Sequence, residues 1–189
     1  MVDAFHMRTP WMLAFTAALL LSACRMPYIP IPYITKPPPA GAAHLRDASG
    51  RAVGTAVLLQ EGSEVRILLD VTGLPPGEKG VHLHEVGRCD PPAFESAGGH
   101  FNPTKAEHGT QNPRGPHGGD LPNITVDAKG NGHLEVTLKQ VTLQKKGSTS
   151  LLDGDGSALV VHAERDDLRT DPAGTSGPRI ACGVVVPAE

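Results

Sequence analysis

Aromatic side chains are scarce in this sequence: one Trp, two Tyr and four Phe make up 4% of the chain. The core must therefore be built from Val, Leu and Ala. Clustered positive charge is also missing. The formal net charge is -3, with acidic and basic residues interspersed, so there is no basic stripe to follow a phosphate backbone and no nucleic acid is expected as partner. The apolar run Trp11–Leu21 is too short to span a bilayer as a helix, which needs roughly 20 residues. Cysteine is limited to three residues, whereas Gly reaches 22 and Pro 18. Such a balance suits short strands joined by turns better than long helices. A length of 189 residues allows one compact core.

The apolar run does fit another role. Arg8 precedes it and Leu21-Ser22-Ala23-Cys24 closes it, the layout of a signal peptide. The tetrapeptide resembles the bacterial lipobox, whose small residues admit a peptidase just before a cysteine that has been acylated. Residues 1–23 are thus expected to be a lipoprotein signal peptide, with Cys24 the lipid-bearing first residue of the mature chain. A plain secretory signal cut after Ala23 is the alternative, and Met7 is a second candidate start. Residues 24–40 are so rich in proline that they read as an extended tether, with a polyproline ligand as the rarer reading. Together these features predict a lipid-anchored protein of the bacterial cell envelope, periplasmic or on the outer surface.

From residue 41 to residue 189 apolar residues alternate instead of recurring at helical spacing. Val53, Thr55, Val57 and Leu59 are expected on one face of a strand, as are Val65, Ile67, Leu69 and Val71. Further strands are expected near 79–86, 121–128, 132–140, 157–163 and 179–186, separated by turns such as Asp127–Gly132 and Asp153–Gly156. About eight short strands without a convincing helix predict an all-β antiparallel sandwich or barrel. The stretches 87–120 and 164–178 break the pattern. Long loops of this kind are usually functional or disordered.

Of nine histidines, five lie in loop 87–120 or its flanking strands. His82 and His84 are two apart on an expected strand, so both rings project from one face and can converge on one ion. His100, His108, His117 and Asp120 supply three imidazoles and a carboxylate, the donor set of a tetrahedral zinc site. A loop of Gly and Pro buries too little apolar surface to order itself, and a bound metal would give it one shape. His162, at the end of the apolar run Leu159-Val160-Val161, offers the last imidazole for a second ion.

The segments Gly80-Val81-His82-Leu83-His84-Glu85-Val86-Gly87, Gly99-His100-Phe101-Asn102-Pro103, His108-Gly109, His117-Gly118-Gly119-Asp120-Leu121, Val160-Val161-His162-Ala163 and Pro178-Arg179-Ile180-Ala181-Cys182-Gly183 together resemble the copper-zinc superoxide dismutase family over residues 43 to 186. The resemblance implies an eight-stranded Greek-key barrel and the disproportionation of superoxide, with one copper and one zinc per chain. It implies copper ligation by His82, His84, His100 and His162, and zinc ligation by His100, His108, His117 and Asp120. His100 would bridge the two ions, releasing copper on reduction and carrying a proton. Asp166 matches a carboxylate that joins His82 to His108, with Asp167 beside it as a competing candidate. Arg179 matches the arginine that draws the anionic substrate, a suitable dock because a guanidinium stays charged.

Cys89 and Cys182 match the family's disulfide, which persists in an oxidising compartment and on the chain-entropy model contributes on the order of 4 kcal/mol. Two departures stand out. His84 is only five residues from Cys89, and loop 164–178 contains no lysine, leaving Arg165 and Arg169 as its cations. Whether the chain forms a homodimer is left open. Two rival classes use part of this set. A copper chaperone or storage protein would use the ligands without turnover, and a structural zinc domain would leave His82, His84 and His162 without a purpose. Completeness of the ligand set favours the enzyme.

Overall fold

The computed structural model describes residues 40–188; the signal, lipidation and tether readings on residues 1–39 lie outside them. Nine strands form one antiparallel sheet: β1 (Gly41–Asp47), β2 (Ala52–Glu61), β3 (Glu64–Val71), β4 (Gly77–Lys79), β5 (Val81–His84), β6 (Ile124–Val126), β7 (Gly132–Leu138), β8 (Ala158–His162) and β9 (Arg179–Pro187). Among the described residues the only helix is a 3-10 turn, Glu95–Ala97.

The strand order is β4-β6-β7-β3-β2-β1-β9-β8-β5. The two edge strands, β4 and β5, are consecutive in the chain and separated by Gly80 alone. One bent stretch thus supplies both edges, and the sheet curls into a nearly closed barrel. Counting that stretch once gives the eight strands expected. The first of them, β1, had no counterpart among the strands read individually from the sequence.

Alternation identified the core face of β3 correctly: Val65, Ile67, Leu69 and Val71 are all buried. It failed on β2, where Ala56 and Leu58 are buried but Thr55 is exposed and Val57 only half-buried. The cause is a β-bulge. Leu45 pairs with Gly54 and Arg46 with Ala52, so Val53 is an extra residue, and one inserted residue moves every later side chain to the opposite face.

The main core lies inside the barrel around Leu45, Ile67, Leu69, Leu83, Leu121 and Leu159. Strands β5 and β8 are buried on both faces. Their inner face carries Val81, Leu83, Leu159 and Val161 into that core. Their outer face is covered by loop 87–120, where Phe94, Ala97, Ala158, Val160 and Cys182 form a smaller apolar cluster. That covered outer face carries His82, His84 and His162.

Candidate metal centre

Three of the histidines are placed by strand register. His82 pairs with Val160 and His84 with Ala158, so they share a face with His162, two residues beyond Val160. On the other side of β8 a second register shift sets His162 opposite Arg179, although Val161 pairs with Ala181. Ile180 is thereby skipped, and Arg179 comes onto the histidine face in its place. The fourth ring arrives from the loop. The backbone around His100 is drawn to β5 by Phe101 N–H donating to Leu83 O at 2.8 Å and Glu85 N–H donating to Gly99 O at 3.0 Å.

The structure brings His82, His84, His100 and His162 together, each buried and each offering a ligand atom within 4.8 Å of the others. One nitrogen of every ring is engaged on the outside. His82 Nε2 is 2.7 Å from Asp166 Oδ2, His84 Nδ1 is 3.0 Å from Gly98 O, and His162 Nδ1 is 3.0 Å from Gly177 O. A carbonyl or carboxylate can only accept, so those nitrogens carry the protons and the opposite nitrogens present lone pairs. The inward atoms His82 Nδ1, His84 Nε2, His100 Nε2 and His162 Nε2 are buried without a hydrogen-bond partner. Buried polar atoms are rarely left so, and four convergent imidazole lone pairs fit a copper ion. Burial foremost holds these rings neutral, lowering His82 to about 3, His84 to about 2 and His162 to about 4.

A second cluster lies against the first and shares His100. Asp120 Oδ1 is 3.0 Å from His100 Nδ1, 3.0 Å from His108 Nδ1 and 3.3 Å from His117 Nδ1, while His117 Nδ1 is 3.4 Å from His100 Nδ1. A tetrahedron with zinc–ligand bonds of roughly 2.0–2.1 Å has edges of roughly 3.3 Å, so these four atoms already stand near the corners of one. His82 also comes within 4.8 Å of this group, but its Nε2 is held by Asp166 and its Nδ1 belongs to the first cluster. His117 is the better fourth corner.

The charges favour a cation here. Burial works against ionisation of Asp120, but hydrogen bonds from His100, His108 and His117 outweigh it and hold the carboxyl well below its usual range. Burial likewise lowers His108, yet Asp120 and Asp166 together raise it to about 9.

Asp166, fully buried, ties the clusters together. Its Oδ2 meets His82 and its Oδ1 lies 3.0 Å from His108 Nε2. Asp167 instead accepts the backbone N–H groups of Arg169 and Thr170 in the adjacent turn. Arg179 is half-buried and donates through Nη1 to Phe94 O at 2.6 Å and through Nη2 to Gly98 O at 2.7 Å. Gly98 O therefore positions both Arg179 and His84. Cys89 and Cys182 form a disulfide with Cα atoms 5.7 Å apart, pinning this segment to β9.

Some contributors went unread in the sequence. Gly174 has φ +63, and a Cβ there would overlap Asp166 Oδ1 and approach His108 Nε2 to 2.7 Å. Asp171 Oδ1 accepts His108 N–H at 2.7 Å and lies 3.8 Å from His117 Nε2. The carbonyls of Gly98 and Gly177 carry no side-chain signal at all.

Comparison with known proteins agrees with this geometry. Residues 52–185 match the family model described as copper/zinc superoxide dismutase (SODC). The Cu-Zn superoxide dismutase 1 of Aquifex aeolicus is 51% identical over 144 residues, 76% of this chain and 85% of that protein. The Cu-Zn superoxide dismutase of Caulobacter vibrioides is 38% identical over 148 residues, 77% of this chain and 85% of that protein. The crystal structure of a SOD-like protein from Bacillus subtilis superposes with a TM-score of 0.73 at 39% identity, covering 77% of this chain and 97% of that one. With the barrel, the two clusters and a family match over most of its length, this chain belongs to the copper/zinc superoxide dismutase family.

Proposed function

We propose that the chain disproportionates superoxide, converting two superoxide ions and two protons into dioxygen and hydrogen peroxide, at a copper held by His82, His84, His100 and His162. Zinc is held by His100, His108, His117 and Asp120. The observation that carries this reading is the set of four buried, unpartnered ring nitrogens beside a near-tetrahedral donor set, with His100 in both. Bound copper supplies a reversible one-electron couple, and bound zinc supplies fixed positive charge. The residues do the rest. Asp166, Gly98 O and Gly177 O keep the copper-side rings in a single tautomer and orientation. His100, fixed through Nδ1 on the zinc side, presents Nε2 to the copper side, where the same nitrogen serves either as a ligand or as the holder of a proton. Arg179 docks the anion, its guanidinium anchored by two carbonyls so that its charge does not wander.

The test compares superoxide decay catalysed by the full-length protein loaded with copper and zinc against the zinc-only form. Turnover only with copper is expected. An inert, fully loaded protein would make the chain a metal-binding module instead.

The reading extends to the N-terminus: a lipoprotein signal peptide over residues 1–23, lipid on Cys24, a tether over 24–40 and the dismutase domain over 41–189, anchored in the bacterial cell envelope. Its support is the Leu21-Ser22-Ala23-Cys24 tetrapeptide after an apolar run of signal length. Cys24→Ser should move the protein from the membrane fraction to the soluble one, and continued membrane recovery would refute the anchor.

A further inference from the structure

We infer that Glu95 is a rate-setting anion at the mouth of the copper half, where its carboxylate opposes Arg179 and slows the approach of superoxide. The inference rests on the docking role given to Arg179 above. A cavity of about 480 Å³ is lined by Pro92, Ala93, Glu95, Gly177, Pro178 and Arg179. Arg179 and Glu95 bring the only formal charges to that lining. The cavity adjoins the copper half on two counts: Gly177 O holds His162, and Arg179 shares Gly98 O with His84.

The placement of Glu95 is built into the backbone. Phe94 is buried and takes a left-handed conformation, φ 56, unusual for a residue with a bulky side chain. Its carbonyl accepts the 2.6 Å hydrogen bond from Arg179, and the next residue, Glu95, is exposed in the cavity lining. Glu95 also acts on the guanidinium, stabilising its charge against the cost of burial.

Among the described residues of the flanking segments, the cations that could make up for this carboxylate are engaged elsewhere, two by carboxylates and one by an amide oxygen that holds it in place without cancelling its charge. Arg88 is paired with Asp90 at 2.6 Å and Arg165 with Glu78 at 3.0 Å. Arg169 is turned onto Gln111 Oε1, at 2.8 and 2.9 Å. A mouth with one cation and one anion is close to neutral, so it concentrates an anionic substrate weakly.

The experiment measures the second-order rate of superoxide decay with the copper- and zinc-loaded wild type and Glu95→Gln, from about 10 mM to about 0.3 M ionic strength. Removing one unit charge near the dock should raise the rate about threefold at low salt, and the two proteins should converge at high salt. Azide, an inert anion, titrated against the copper absorption should bind the variant tighter by a similar factor, a readout that needs no turnover. Equal rates, equal salt dependence and equal azide affinity would overturn the role of Glu95. A wild type that binds azide but does not turn over would refute the proposed activity while the azide comparison still decides this inference.

Discussion

The strand-built half of the centre and the loop-built half hold their ligands by different means. His82 and His84 on β5 and His162 on β8 are set by backbone ladders. Each has an acceptor behind its outer nitrogen, and burial keeps all three rings neutral. His108, His117 and Asp120 sit in a stretch without regular structure and are held by charge. One buried carboxylate meets three rings, and a second, Asp166, meets His108 from behind. The strand half is thus rigid by hydrogen bonding and apolar cover, whereas the loop half depends on balancing two carboxylates with a cation. This division suits a copper whose strand-borne ligands stay in place as it changes oxidation state, beside a zinc that orders a Gly- and Pro-rich loop.

The largest expected effect comes from separating the halves. His162→Ala removes a copper-side nitrogen from β8 and touches no residue of the loop half. Superoxide turnover should fall to background while zinc stoichiometry is retained, as measured by superoxide decay and metal analysis on the same sample. Loss of zinc together with activity would mean that the halves form a single unit.

A smaller effect is expected at the joint between them. Gly174→Ala would place a methyl group where Asp166 Oδ1 now reaches His108, at a backbone angle that L side chains seldom adopt. Asp166 would have to shift, releasing the outer nitrogen of His108. Outer partners of this kind are typically worth 10–100-fold in metal affinity, so zinc affinity in a chelator competition should weaken by about that factor. An unchanged zinc affinity would remove Asp166 from its linking role.

Legibility in the sequence follows the same division. The residues of both clusters could be read from residue type, order and spacing, because metal chemistry restricts which side chains serve. The β3 face was readable too, since an uninterrupted strand keeps strict alternation. The bulge at Val53 was missed, although Gly54 beside it is the kind of strand residue that often marks one. The shift that brings Arg179 opposite His162 is silent, being a property of pairing between strands. Choosing Asp166 over Asp167 needed three dimensions, as adjacent carboxylates differ only in where the turn aims them. The roles of Gly174, Asp171 and the Gly98 carbonyl arise from contacts between segments distant in sequence.

Proton competition sharpens the contrast with the gentlest perturbation. In the metal-free protein Asp120 and Asp166, outweighing burial, raise His108 to about 9, above its ordinary 6.5. The ring therefore holds its second proton through neutral pH, and zinc must displace it. Below about pH 9 each unit of pH rise weakens that competing proton tenfold, so apparent zinc affinity should climb about tenfold per unit and flatten above about pH 9. The copper side has the opposite sign. Burial has lowered His82, His84 and His162 to about 3, 2 and 4, so these rings are already deprotonated across the same window and add no slope to copper affinity. Their protons compete only as pH falls toward those values. Chelator competition on the metal-free protein between about pH 6 and about pH 9 measures both slopes. A steep zinc slope beside a shallow copper slope is the expected outcome. Equally steep slopes would show that charge, not burial, sets the protonation of both halves, and equally shallow ones that the two carboxylates do not hold a proton on His108.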